Sequence, residues 1–227
     1  RVWGELMGQS FYQNVDDMGL RKEVVLGEVL TRLTGAFRGA DYDTKAMFRA
    51  ITNSDAYQSR YRQGDKSGED LHPVAACPAP LRGDVLWDSL EHVLGKLGSS
   101  QFHTRGGKRF NVSILEGKFK AEFDFDPSLR NEDVEGTIPQ SLFLMNNADL
   151  NKRIQAVGKN LLGHVLKESP DDTEAVNSIY LRVLARRPTD RELSKCRAYI
   201  ARIENRVEAF EDILWALINS TEFQTKR

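Results

Sequence analysis

Apolar residues recur at helical spacing along most of this chain. Val25, Val29, Leu30, Leu33 and Phe37 fall on one stripe, and Gly39 supplies a C-terminal stop. Asp43 then offers an N-cap to a helix that turns Met47, Phe48 and Ile51 inward. A loop rich in Gly, Pro and charge runs over 63–80. The span 81–97 predicts another amphipathic helix, with Val85, Leu86, Leu90, Val93 and Leu94 on its apolar side. Near the C-terminus the caps are explicit. Ser169-Pro170-Asp171-Asp172 opens one helix, and Thr189-Asp190-Arg191-Glu192 is a capping box directly after Pro188. Their inward stripes are Val176, Ile179, Tyr180, Val183 and Leu184, then Leu193, Cys196, Tyr199, Ile200 and Ile203.

The period changes in the middle. Phe110, Val112 and Ile114 alternate with polar residues, as do Phe119, Ala121, Phe123 and Phe125, and Glu116-Gly117-Lys118 offers a turn. A period of two predicts a β-hairpin that packs one face on the helices. The expected fold is therefore mainly α: an N-terminal helical half (1–97), a small inserted antiparallel β-hairpin (98–136) and a C-terminal helical half (137–227), together one structural domain. An internal echo links the halves. Ala50-Ile51-Thr52-Asn53-Ser54-Asp55-Ala56-Tyr57-Gln58 resembles Ala216-Leu217-Ile218-Asn219-Ser220-Thr221-Glu222-Phe223-Gln224, each a helix ending at Asn, a Ser cap and a returning aromatic.

Composition narrows the function classes. At 227 residues, 40% hydrophobic and 29% charged, the chain is long and apolar enough to bury a core. A formal net charge of -1 gives no bulk attraction to nucleic acid. No apolar run approaches the ~20 residues of a membrane span. The opening Arg1-Val2-Trp3-Gly4, without methionine or signal pattern, reads as the start of an excised piece. Cys77 and Cys196 are far apart in sequence and are either two small thiols or, in an exported protein, one disulfide. No Cys-x-x-Cys-His, Gly-x-Ser-x-Gly, P-loop or dinucleotide fingerprint occurs, so no catalytic residue, metal or cofactor is assigned.

A few polar residues are candidates for ligand binding. Asp16-Asp17 follows the apolar Phe11 and Val15. Two carboxylates in unlike surroundings suit a metal, a sugar hydroxyl or acid–base work, while a helix cap with an arginine partner is the ordinary alternative. Gln140 and Asn146, with Asn147, flank the apolar Leu142-Phe143-Leu144-Met145, where amides bind a sugar or peptide or else satisfy helix ends. From Asp124 to Glu135 the spacing imitates a calcium loop, but Leu129 stands where glycine is required. Arg105 to Arg109 is a short basic turn, and His72, His92, His103 and His164 share no metal-ligand spacing.

Ordered short segments carry a family resemblance. They are Arg1-Val2-Trp3 with Met7-Gly8, Val15-Asp16-Asp17-Met18, Tyr42-Asp43-Thr44-Lys45, Ile51 to Gln58, Thr137 to Asn146, Tyr180 to Pro188 and Ala216 to Phe223. Together they resemble the first planctomycete-specific domain, a bacterial domain of unknown function (1553). Between Leu20 and Gly27 the chain lacks the family's proline-rich stretch and its histidine, so no role of that histidine transfers. The resemblance implies a large exported, periplasmic or cell-surface protein with an upstream companion domain, and in some members a cytochrome-c-like domain. It brings no established activity. The expected function is a non-catalytic interaction or scaffold module of such a protein. The alternative is part of a carbohydrate-active hydrolase whose site an upstream domain completes.

Overall fold

The computed structural model describes residues 1–8, 10–12, 19, 22–59, 79–97, 100–105, 108–124, 136–156 and 160–226, with backbone alone at Ala79 and over 100–105 and 108–113. The protein is mainly helical. Its described residues form two compact units, one reaching to Pro80 and including Thr225 and Lys226, the other starting at Leu81 and ending at Gln224.

In the first unit, α1 (Val2–Met7) stops at Gly8, whose φ of 79° lets its N–H reach back to the Gly4 carbonyl. Trp3, Met7 and Ile51 make a small buried cluster, and Phe11 stacks on Trp3 with ring centroids 5.0 Å apart. α2 (Gly27–Gly39) lays Val29 and Leu33 against that cluster. None of its side chains is fully buried, so the predicted stripe is only half covered. α2 ends at Gly39 as expected, the chain then reverses through Asp41 (φ 51°) and Tyr42 (φ 60°), and the Tyr42 ring meets Phe37 edge-on at 5.4 Å. Asp43 caps α3 (Thr44–Thr52), its carboxylate accepting from the Lys45 N–H at 2.8 Å. Ile51 is buried as expected, but Phe48 is 45% exposed. After α4 (Asp55–Gln58), β1 (Ala79–Pro80) pairs antiparallel with β4 (Thr225–Lys226), and Lys226 meets Glu5 at 2.8 Å.

The second unit is larger. α5 (Gly83–Leu94) buries Leu86, Trp87, Leu90, Val93 and Leu94, but Val85, predicted inward, is 45% exposed. Gly83 meets the end of the sixth helix closely: a Cβ there would lie 3.2 Å from the Phe123 carbonyl carbon.

The hairpin read from Phe110 to Phe125 is corrected. Residues Ile114–Phe123 form a helix, α6, and Glu116, Gly117 and Lys118 lie inside it. Positions 119 and 123 fit both periods, because four residues are two strand repeats and about one helical turn. The rings decide it. Phe119 and Phe123 stack at 4.2 Å while Ala121 points outward, and Glu116 pairs with Lys120 one turn on at 2.7 Å. In this part of the chain the antiparallel pairing joins β2 (Ser100–Arg105) to β3 (Lys108–Ser113), with Phe102 opposite Asn111.

α7 (Ile138–Asn146) and α8 (Ala148–Ile154) follow, then α9 (Leu161–Glu168) and α10 (Asp172–Leu184). The unit closes with α11 (Asp190–Arg202), α12 (Arg206–Ile218) and α13 (Thr221–Gln224). α10 packs against α9, α11 and α12 through the fully buried Ala175, Val176 and Ile179. The Thr189 capping box forms as predicted, with the Glu192 carboxylate accepting from the Thr189 N–H at 2.7 Å.

The internal echo is repeated in hydrogen bonds, once in each unit. Ser54 donates to the Ile51 carbonyl at 2.7 Å and accepts from the Tyr57 N–H at 3.3 Å. Ser220 donates to the Leu217 carbonyl at 2.6 Å and accepts from the Phe223 N–H at 3.3 Å. In both copies one hydroxyl ends a helix and starts the next turn, which swings an aromatic ring toward the core. Among the described residues, no helix is long and apolar enough to cross a membrane.

Candidate functional site

Of the predicted candidates, Gln140 and Asn146 fall among the described residues, at opposite ends of the same helix. Asp16 and Asp17 lie outside the described residues, as do His72, Cys77, Asp126, Ser128 and Glu135, while Asp124 is exposed at the end of α6. Gln140 is structural. Its side chain accepts from the Thr137 N–H at 3.0 Å, completing a capping box, and donates to the Glu122 carbonyl at 2.9 Å, fastening α7 to α6. Asn147 caps α8 by accepting from Asp149 and Leu150. Asn146 is exposed at the opposite end of α7 from Gln140, about 9 Å along the helix axis at 1.5 Å per residue.

What α7 does present is an apolar ridge. Its inner side is fixed by Leu144, 1% exposed, and by Phe143, which meets Phe119 and Phe123 edge-on at 5.5 and 6.2 Å. Its outer side carries Ile138, Leu142 and Met145, exposed at 76%, 51% and 41%. These three occupy i, i+4 and i+7, so they form one line about 10 Å long. Ser141 and Asn146 are exposed beside them. The run Leu142–Met145 is visible in the sequence; that only half of it faces the core is not.

The polar side chains with the most constrained geometry serve the fold. Arg186 bonds Glu222 through Nε and Nη2 at 2.6 and 2.7 Å, and Glu192 through Nη1 and Nη2 at 2.9 and 2.8 Å. Its guanidinium also lies 5.6 Å from the Tyr180 ring centroid. The Arg186 hydrogen bond holds the Glu192 carboxyl down at about 2, and Glu222 and then Glu192 raise the arginine further above its ordinary value. Burial pushes the Tyr180 hydroxyl up, and pushes up the free Cys196 thiol 4.0 Å from it. That cysteine is a protonated, half-buried packing residue. Arg206 likewise bonds Asp172 at 2.7 Å and the Ser169 carbonyl at 2.9 Å, joining the first turns of α12 and α10. Among the described residues, no three His, Cys, Asp or Glu side chains gather where they could hold one metal ion.

Residues 1–116 match the family model described as PSD1, protein of unknown function (DUF1553). The chain belongs to the DUF1553 family. The match covers the first unit up to Pro80 and continues through α5 and β3 to the third residue of α6, leaving Thr225 and Lys226 outside it. The DUF1553 segments quoted from Thr137 onward lie beyond it, and so does α7. No curated protein and no solved structure matches this DUF1553 protein.

Proposed function

We propose that this DUF1553 chain is a non-catalytic interaction module of an exported, multidomain bacterial protein. We further propose that the outer face of α7 receives an upstream domain of the same polypeptide, with a cytochrome-c-like domain as the specific form to try first. The observation carrying this reading is the exposed line Ile138, Leu142 and Met145. Three apolar side chains at that spacing are the anchors by which a helix fills a partner's groove. Their burial supplies roughly 2–4 kcal/mol at the usual value per unit of apolar area. Family membership adds no activity that would compete with this role, and Gln140 is already engaged by α6 and the α7 cap.

The test adds the purified upstream domain in trans and measures association by calorimetry. The double variant Ile138→Glu/Leu142→Glu is expected to bind at least about thirtyfold more weakly, a loss of about 2 kcal/mol. Its melting temperature should stay close to wild type, because both side chains already face solvent. Unchanged binding by the variant rules out α7 as the docking face, and self-association through α7 assigns a second copy in its place. Carbohydrate hydrolysis by the full-length protein that disappears in Asp16→Asn/Asp17→Asn replaces the whole reading with an enzymatic one.

A further inference from the structure

The second unit contains one more feature that neither α7 nor the family accounts for. A solvent-open cleft of about 640 Å³ lies among α5, α8, α9 and α10, within the size range of small-ligand sites. Its rim gathers His92 from α5, Arg153 from α8, His164 and Glu168 from α9, and Arg182 from α10, with Asn160 at the α9 N-cap. Neither Arg153 nor Arg182 forms an ion pair with a described residue. Among the described residues, Glu168 is the one carboxylate on the rim, and it stands 3.9 Å from His164. The side chain of Asn160 is already committed, accepting from the Gly163 N–H at 2.9 Å and donating to the Arg153 carbonyl at 3.0 Å. These bonds tie the N-cap of α9 to the C-terminal turn of α8, and the positive end of α9 borders the cleft.

We infer that this cleft binds an oxoanion, either a free phosphate or the carboxylate of a larger ligand, between the guanidiniums of Arg153 and Arg182. The charge balance carries the argument. Two planar, permanently charged forks, one from α8 and one from α10, line the same depression, with imidazoles from both α5 and α9. An arginine committed to the fold has its carboxylates, as Arg186 does; these two have none among the described residues. The C-terminal turn of α5 ends in the same cleft at Gly95. Its carbonyls and Glu168 offer acceptors for hydroxyl groups on the remainder of a larger ligand. This inference is independent of the role proposed for α7.

The experiment is a titration of the whole chain with inorganic phosphate and, separately, with acetate, followed by backbone amide chemical shifts. Saturable shifts are expected at Asn160–His164 and around Arg153 and Arg182. The stronger of the two anions identifies the source. Arg153→Gln/Arg182→Gln should weaken binding by about tenfold, allowing for solvent screening of exposed charges. Glu168→Gln should tighten it about twofold to threefold by removing the opposing charge, so a gain is measured alongside the loss. Absence of saturable shifts with both anions overturns the inference. So does wild-type affinity in the double arginine variant, or no tightening in Glu168→Gln.

Discussion

Phe119→Ala is expected to lower the unfolding free energy of the second unit by about 3–5 kcal/mol. The melting transition should fall by roughly 10 °C. Phe119 is completely buried, and its ring touches three others: Trp87 at 5.2 Å, Phe123 at 4.2 Å and Phe143 at 5.5 Å. Removing it opens a cavity between α5, α6 and α7, and such rigid aromatic neighbours collapse poorly into the space. The companion variant is Ala121→Lys. In helix α6 that residue faces solvent near the C-terminal end, where a cation is tolerated, so the change should be less than about 1 kcal/mol. On a strand, residues 119, 121 and 123 would share one face, and a lysine at 121 would be as damaging as the loss of Phe119. Thermal melts of the two variants therefore distinguish the helix from the strand directly. Equal, large destabilisation by both would restore the strand.

Arg186→Gln should cost about 2–3 kcal/mol, reduced from a fully buried case because the arginine and Glu192 side chains remain about a third exposed. The loss arises as much from two carboxylates left facing each other as from the missing bonds. Arg186→Lys keeps the charge but cannot serve Glu192 and Glu222 with paired donors, and it should recover less than half of the loss. A pH signature accompanies it. The Glu192 carboxyl is held at about 2 in the fold against an ordinary value of 4.5. Its contribution is therefore complete above about 4.5 and disappears as pH falls from about 4.5 toward about 2. Wild type should lose stability over that window, and Arg186→Gln should lose less there. Parallel acid limbs in urea denaturation would show that the cluster contributes little.

Much of the helical framework was legible because caps are local. Asp43, Asp171 and Thr189 each accept from a backbone N–H two or three residues on, a signal contained within one turn of sequence. The inward stripe of α10 was equally plain, since Val176, Ile179, Tyr180 and Val183 all lie on one buried face. The mid-chain period failed for a definite reason: phenylalanines four apart satisfy helix and strand alike, and only long-range ring contacts with Trp87 and Phe143 settle which forms. Exposure of Val85, Phe48 and the α7 ridge was invisible for the same reason, since it depends on which neighbours arrive.

The candidate site was less legible. Histidine spacing along the sequence gave no reason to join His92 to His164, or Arg153 to Arg182, because each comes from a different helix. Asp16 and Asp17 remain the most prominent carboxylate pair in the sequence, outside the described residues.

The pairing of Ala79–Pro80 with Thr225–Lys226 means that the first unit is built from two stretches of chain, with the second unit's sequence running between them. Within the second unit, the Leu81 N–H donates to the Gln224 carbonyl at 2.9 Å, so the two ends of that unit are tied to each other. Deleting Thr225 and Lys226 would thus strip Ala79–Pro80 of its partner strand and damage the first unit from a position 145 residues further along the chain.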